Sequence, residues 1–145
     1  MSVIDDMLNN IISFSENIND YIRLEVLEDE AILCDMNSET QLFEKGINAN
    51  GVSIESYAPY RPITKQIKLL KGQPTNRVTL RDTGDFHASF KITAGDNSFY
   101  IDASDWKLER LTVGYGEDIL GLTDENIDEF IWEYIYPMLL KKLNG

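Results

Sequence analysis

The chain has 145 residues, with 13 Lys and Arg against 25 Asp and Glu and a formal net charge of −12 at pH 7, which is enough length for one domain with its own apolar core. That charge repels phosphate backbones and anionic membrane surfaces, so direct nucleic-acid binding and membrane attachment are both disfavoured. The single cysteine, Cys34, excludes an intramolecular disulfide and a cysteine-based zinc cluster, and its place in the apolar run AILC predicts a buried small side chain.

The N-terminal MSVIDDMLNN is acidic and its apolar residues are spaced, unlike the basic start and unbroken apolar stretch of a signal peptide. With no run of transmembrane length, the chain is expected to stay in a cytoplasm. Ile4, Leu8, Ile11, Ile18 and Ile22 recur at helical steps, and Phe14 and Tyr21 widen the stripe. The spacing predicts a one-faced helix to about Leu27 that needs cover along its length. Ser38 and Gln41 read as a capping box that opens a short helix, which Gly46 closes.

Residues 48–62, NANGVSIESYAPYRP, are loop chemistry around a short extended piece at Val52 to Ile54. The following ITKQIKLLKG reads as a helical turn or two. RVTLRD and FHASFKI alternate apolar and polar residues, AGDNS reads as a hairpin turn, and FYIDAS alternates again. Together they predict an antiparallel meander of about three or four strands. DWKLERL suggests a helical turn started by Ser104 or Asp105, and GYGEDILG a glycine-punctuated loop. Thr123 is placed to cap a last helix whose buried face would be Ile127, Phe130, Ile131, Tyr134 and Ile135, with Pro137 kinking or restarting it. The expected fold is a single α+β domain over 1–145, its long N-terminal and C-terminal helices packed on a small antiparallel sheet.

Asp82-Thr83-Gly84 has the letters of an aspartic-protease turn, but Arg81 precedes it and Asp85 follows, where a proton-sharing carboxylate pair needs apolar support and no third carboxylate. The bland reading is a structural turn between two strands, with Asp82 making an Asx-type hydrogen bond and Gly84 supplying a positive φ. His87, the only histidine, falls on the polar side of its strand and reads as solvated or interfacial. GINANG fails as a calcium loop at its first and last ligand positions. No catalytic, cofactor-binding or metal residues are assigned. The long 48–62 loop makes Tyr57, Tyr60 and Arg61 the candidate partner-binding side chains, since aromatic and Arg residues carry interface energy.

The stretches QLFEKGINANGVSIESY, TKQIKLLKG, VTLRDTGDFHASFKI and YGEDILGLTDENIDEF together resemble the tail-completion and virion-morphogenesis proteins of long-tailed bacteriophages and prophages. The likeness spans roughly residues 38–135, with Thr83-Gly84 and Ser89 followed by Gly121-Leu122-Thr123 in the family's order. Asp85, Phe86 and His87 depart from the longer apolar and basic residues usual after that glycine. The resemblance implies a structural, non-enzymatic virion protein at the head–tail neck. Copies would form a ring, commonly a hexamer, touching neck, portal-side or tail-tube proteins, and the chain would pass through the host cytoplasm during assembly. Two rival classes stand beside it: a small homodimeric hydrolase built on Asp82, and an acidic bacterial interaction or immunity module that occupies a basic partner.

Overall fold

Ser2 starts the first helix, α1 (Val3–Glu28), through a capping box in which its hydroxyl accepts from the Asp5 backbone N–H and the Asp5 carboxylate accepts from the Ser2 backbone N–H. The computed structural model describes residues 2–95 and 97–145. In it α1 is followed by α2 (Glu30–Asp35), which continues directly into a π-helical segment, Met36–Lys45. Next come a 3-10 turn (Ile54–Ser56), α3 (Pro62–Leu70), α4 (Asp85–Ala88), strands β1 (Phe90–Ala94) and β2 (Phe99–Ala103), and α5 (Leu108–Tyr115). The chain ends in α6 (Asp124–Phe130), a second π segment (Ile131–Ile135) and α7 (Tyr136–Leu143).

The mixture of helix and antiparallel sheet is as expected, but the sheet among the described residues has two strands, paired from Phe90↔Ala103 to Ala94↔Phe99. The predicted turn at 94–98 between them includes Asp96, which lies outside the described residues. RVTLRD is not a strand. Val78, Thr79 and Leu80 are all buried, and Leu80 turns to φ +56. The backbone N–H groups of Thr79 and Leu80 donate to the Tyr60 hydroxyl at 3.0 and 3.1 Å, which satisfies without a neighbouring strand donors that burial would otherwise strand. FHAS is likewise helical. Phe86 and Phe90 stand four apart, a spacing that fits both a strand face and a helix face, and their rings meet edge-on at 5.1 Å. That leaves Ala88 exposed and turns His87 inward, against the solvated position expected of it.

Two apolar clusters form the core. One gathers Leu42, Ile54, Val78, Phe86, Phe90 and Ile119; the other packs Val26 and Leu33 against Phe130 and Ile135. Ile92 touches both, so the hairpin is the hinge between them. Its backbone N–H on the unpaired side of β1 donates to Glu30 Oε2 at 2.9 Å, which closes an otherwise bare sheet edge.

Ser38 does not begin a helix. It lies inside the π segment, where its hydroxyl donates to the Cys34 carbonyl at 2.9 Å. Gly46 does close that segment at φ +64, and a Cβ there would stand 2.9 Å from Arg77 Cβ, so the position admits only glycine without movement. The π register carries Asn37 and Gln41, both fully buried, onto the loop before α6. Asn37 bonds Ile119 O and Gly121 N, and Gln41 bonds Gly121 O, Thr123 N and Asn126 Nδ2, all at 2.8–3.0 Å. Thr123 caps α6 by accepting from Asn126 N at 3.2 Å. Of the face expected for this helix, Phe130 and Ile135 are buried, Tyr134 is half-buried, and Ile127 and Ile131 are exposed. A π bond from Tyr136 N to Ile131 O precedes Pro137, so the helix restarts with the proline in its first turn, where its missing N–H does no harm.

Helix α1 is covered along only half its length. Val26 is buried and Ile22 packs beside it, whereas Val3, Ile4, Met7, Leu8, Ile11 and Ile12 are each about half to three-quarters exposed. At its C-terminal end Asp29 Oδ2 is buried with no partner in full hydrogen-bond geometry. Glu25 stands one helical turn earlier, and hydrogen bonding to Asp29, burial and the charges of Asp29 and Glu28 push its pKa up to about 7.

Candidate functional site

Gly84, at φ +95, swings the chain from the Asp82-Thr83-Gly84 bend into α4. The bend forms one lip of a cleft of about 190 Å³ whose other walls come from Tyr60, from Lys68 of α3, from Leu80 and His87, and from Lys107, Arg110 and Tyr115 on and beside α5. Four of the predicted site residues, Tyr60, Asp82, Thr83 and Gly84, therefore meet at one place. Tyr57 and Arg61 stand outside it.

Tyr60 is 9% exposed, and its hydroxyl holds the 79–80 backbone, so it belongs to the core and the cleft floor and not to an open partner surface. Tyr57 is exposed, with its hydroxyl donating to Tyr115 O at 2.8 Å, and Arg61 is exposed at the N-cap of α3. Asp82 is exposed and accepts from Lys71 Nζ at 2.7 Å. That hydrogen bond, with help from Gln73, holds its carboxyl below the usual carboxylate range, and the partner that does so is an ammonium, not the second carboxylate of a proton-sharing pair.

Charge inside the cleft runs against the charge of the chain. Lys68, Arg81, Lys107 and Arg110 line it, with Asp82 as the one carboxylate. Lys68 is 7% exposed. Its ammonium donates to Arg81 O at 2.9 Å and weakly to Gln73 Oε1 at 3.5 Å, and lies 4.8 Å from the Tyr60 ring centroid. Among the described residues no carboxylate stands within 4.0 Å of it. Arg81 is placed by Glu39 at 3.2 Å and by the Phe43 ring. Lys107 and Arg110 both sit over the Trp106 ring at 5.7 Å.

His87 is buried against Phe86 and Phe90, and neither ring nitrogen meets solvent or a partner in full hydrogen-bond geometry, the Thr79 backbone being a weakly placed one. Burial, then the Arg81 and Lys68 charges, lower its pKa to about 4, with the Thr79 backbone acting in the other direction. The imidazole is neutral at pH 7, with one N–H to donate and one nitrogen to accept. Lys68, Lys107 and Arg110 were not legible as a site, because 39 positions separate Lys68 from Lys107 and only the fold joins them. The one available signal was basic residues in an acidic chain.

A second recess, of about 260 Å³ between α1, the hairpin and α6, is lined by Val26, Leu33, Ile92, Phe99 and Phe130 among others, with no carboxylate, ammonium, guanidinium or imidazole in its lining. Among the described residues no set of three His, Cys, Asp or Glu side chains is placed to hold a metal ion, and no helix is long and apolar enough to cross a membrane. No protein-family model, curated protein or solved structure matches the chain.

Proposed function

We propose that the chain is a structural assembly protein that acts by packing onto copies of itself, as a ring component at the head–tail neck of a long-tailed phage or prophage. One observation carries the assembly role. The first three turns of α1 present six large apolar side chains to solvent on the same helix face that, further along, buries Val26 in the core. A contiguous patch beyond roughly 300–600 Å² is unusual on a monomer and marks a contact surface.

The surface that complements it lies on the same molecule. Helix α3 exposes Ile63, Ile67 and Leu70 along one side and has Lys65 within it and Lys71 at its C-cap, with no acid in the helix, while α1 carries six acidic residues against Arg23. An acidic apolar helix docking on a basic apolar helix of the next copy is a head-to-tail contact, which closes into a ring when the rotation between copies divides a full turn. The neck assignment itself rests on the resemblance of residues 38–135 to virion-morphogenesis proteins. Neighbouring neck, portal-side or tail-tube proteins are the further partners of this reading, and the virion is its location.

Light scattering and native mass spectrometry test it. The wild-type chain should form a closed oligomer, and Ile4→Asp with Leu8→Asp should give a folded monomer with an unchanged circular dichroism spectrum. A wild-type chain that stays monomeric at about 100 μM, far above the Kd of a specific interface, overturns the self-assembly. Absence of the chain from purified particles of its phage overturns the virion role.

A further inference from the structure

We propose that the cleft beneath the Asp82–Gly84 bend binds a small oxyanion of the phosphate class, held by Lys68 and His87 inside and by Lys107 and Arg110 at the mouth. Three observations converge on an anion. Lys68 places an ammonium in a buried position with a carbonyl, an amide oxygen and an aromatic ring for company but no carboxylate among the described residues. A buried cation without a counter-charge is strongly unfavourable, and an anion in the cleft removes that penalty.

His87 adds a second, independent pointer. The residue is 93% buried and lines the same cleft, and its two ring nitrogens, closed off from solvent, have no partner in full hydrogen-bond geometry beyond the weak pull of the Thr79 backbone, where nearly every buried polar atom in a folded protein is satisfied. As a neutral imidazole it adds no charge, and a small turn of the ring toward the cleft would bring its N–H to an oxyanion. Third, the cations have placing contacts before any ligand arrives: Lys68 with the Arg81 carbonyl, Arg81 with Glu39 and Phe43, and Lys107 and Arg110 over Trp106. Prepositioned donors lose little freedom on binding.

The chain's net charge of −12 makes four cations around one cleft hard to read as a general surface property. A volume of about 190 Å³ admits a phosphate with a small organic substituent and is too small to enclose a nucleotide strand, so the site is assigned to a small ligand.

The test uses inorganic phosphate on the intact chain, read by calorimetry, by thermal shift at constant ionic strength and by the imidazole resonances of His87. Phosphate should bind saturably, raise the melting temperature and move the His87 ring signals. The double variant Lys107→Ala/Arg110→Ala, which leaves the core untouched, should keep its fold and bind phosphate about tenfold or more weakly, the loss of one to two charge-assisted hydrogen bonds. Chloride at equal ionic strength giving the same shift, His87 signals that phosphate leaves unmoved, or unchanged affinity in the double variant would each overturn the site. Binding of a single-stranded oligonucleotide without binding of phosphate overturns the small-ligand assignment. Because the variants spare α1, their outcome is independent of self-assembly.

Discussion

Tyr60 and His87 exchange the roles that their residue types suggest. A tyrosine in a glycine- and proline-bearing loop reads as a contact residue, yet its hydroxyl is the acceptor that lets 78–80 run through the core without a strand beside it. The single histidine reads as polar surface, yet the helical turn at Asp85–Ala88 points it inward. Neither outcome was legible, because both depend on residues some 20 positions away or on one glycine at φ +95. Cys34 was legible: it is buried, and burial with the charges of Glu30 and Asp35 pushes its thiol up to about 11. His87 gives a pH signature. Its pKa is about 4 in the folded chain against 6.5 ordinarily, so the unfolded chain binds the proton more readily. Stability from this residue is therefore fully present above pH 6.5 and is lost as pH falls from 6.5 towards 4, by on the order of 3 kcal/mol. Urea unfolding of wild type and His87→Phe across that window should show a steep fall for the histidine and a flatter line for the variant. Parallel curves would mean that His87 is not held neutral by the fold.

Among the elements, those with strong local signals were the ones the sequence revealed: the stripe and end of α1, the cap of α6 by Thr123, the restart at Pro137, and the hairpin strands of FKITA and FYIDA. The losses have a common physical cause. Phe86 and Phe90 obey both helical and strand periodicity, and Ser38 with Gln41 matches a capping box while serving a π-helix that no local propensity announces. That π-helix exists to aim Asn37 and Gln41 at residues 119–126, a use visible only when the two segments meet. Gln41 makes three hydrogen bonds there, with no exposed surface. Gln41→Ala should accordingly lower stability by about 3–4 kcal/mol, from stranded partners and a cavity. It should also raise amide exchange at Thr123, whose N–H donates to Gln41 Oε1, before that of the β hairpin. Uniform acceleration across the chain would show that the network is not a separate tie. A change in stability below about 1 kcal/mol would show that water replaces it.

For the molecule as a whole, the distribution of apolar surface separates what folds the chain from what it offers to others. Both core clusters are complete without the first three turns of α1: from that helix they draw only Val26 and the adjoining Ile22. Arg23 ties the same half to the hairpin turn through Gly95 O at 3.0 Å. The described residues before Phe14 contribute an apolar stripe, the Ser2 capping box and two acids, and they bury none of their own side chains. If that stripe serves assembly and not folding, a chain that begins at Phe14 should melt within about 2 °C of the full-length protein, since removing exposed helix away from the core changes stability little. It should also fail to form the oligomer of the full-length chain under identical conditions. Deletion through Val26 is the contrasting case, because it opens the second cluster and should unfold α6 and α7 with it. Loss of folding in the shorter deletion would place the first turns of α1 inside the folding unit. Retention of the oligomer would move the contact surface off α1, to α5 or the C-terminal helix, where Val113 and Trp132 remain exposed.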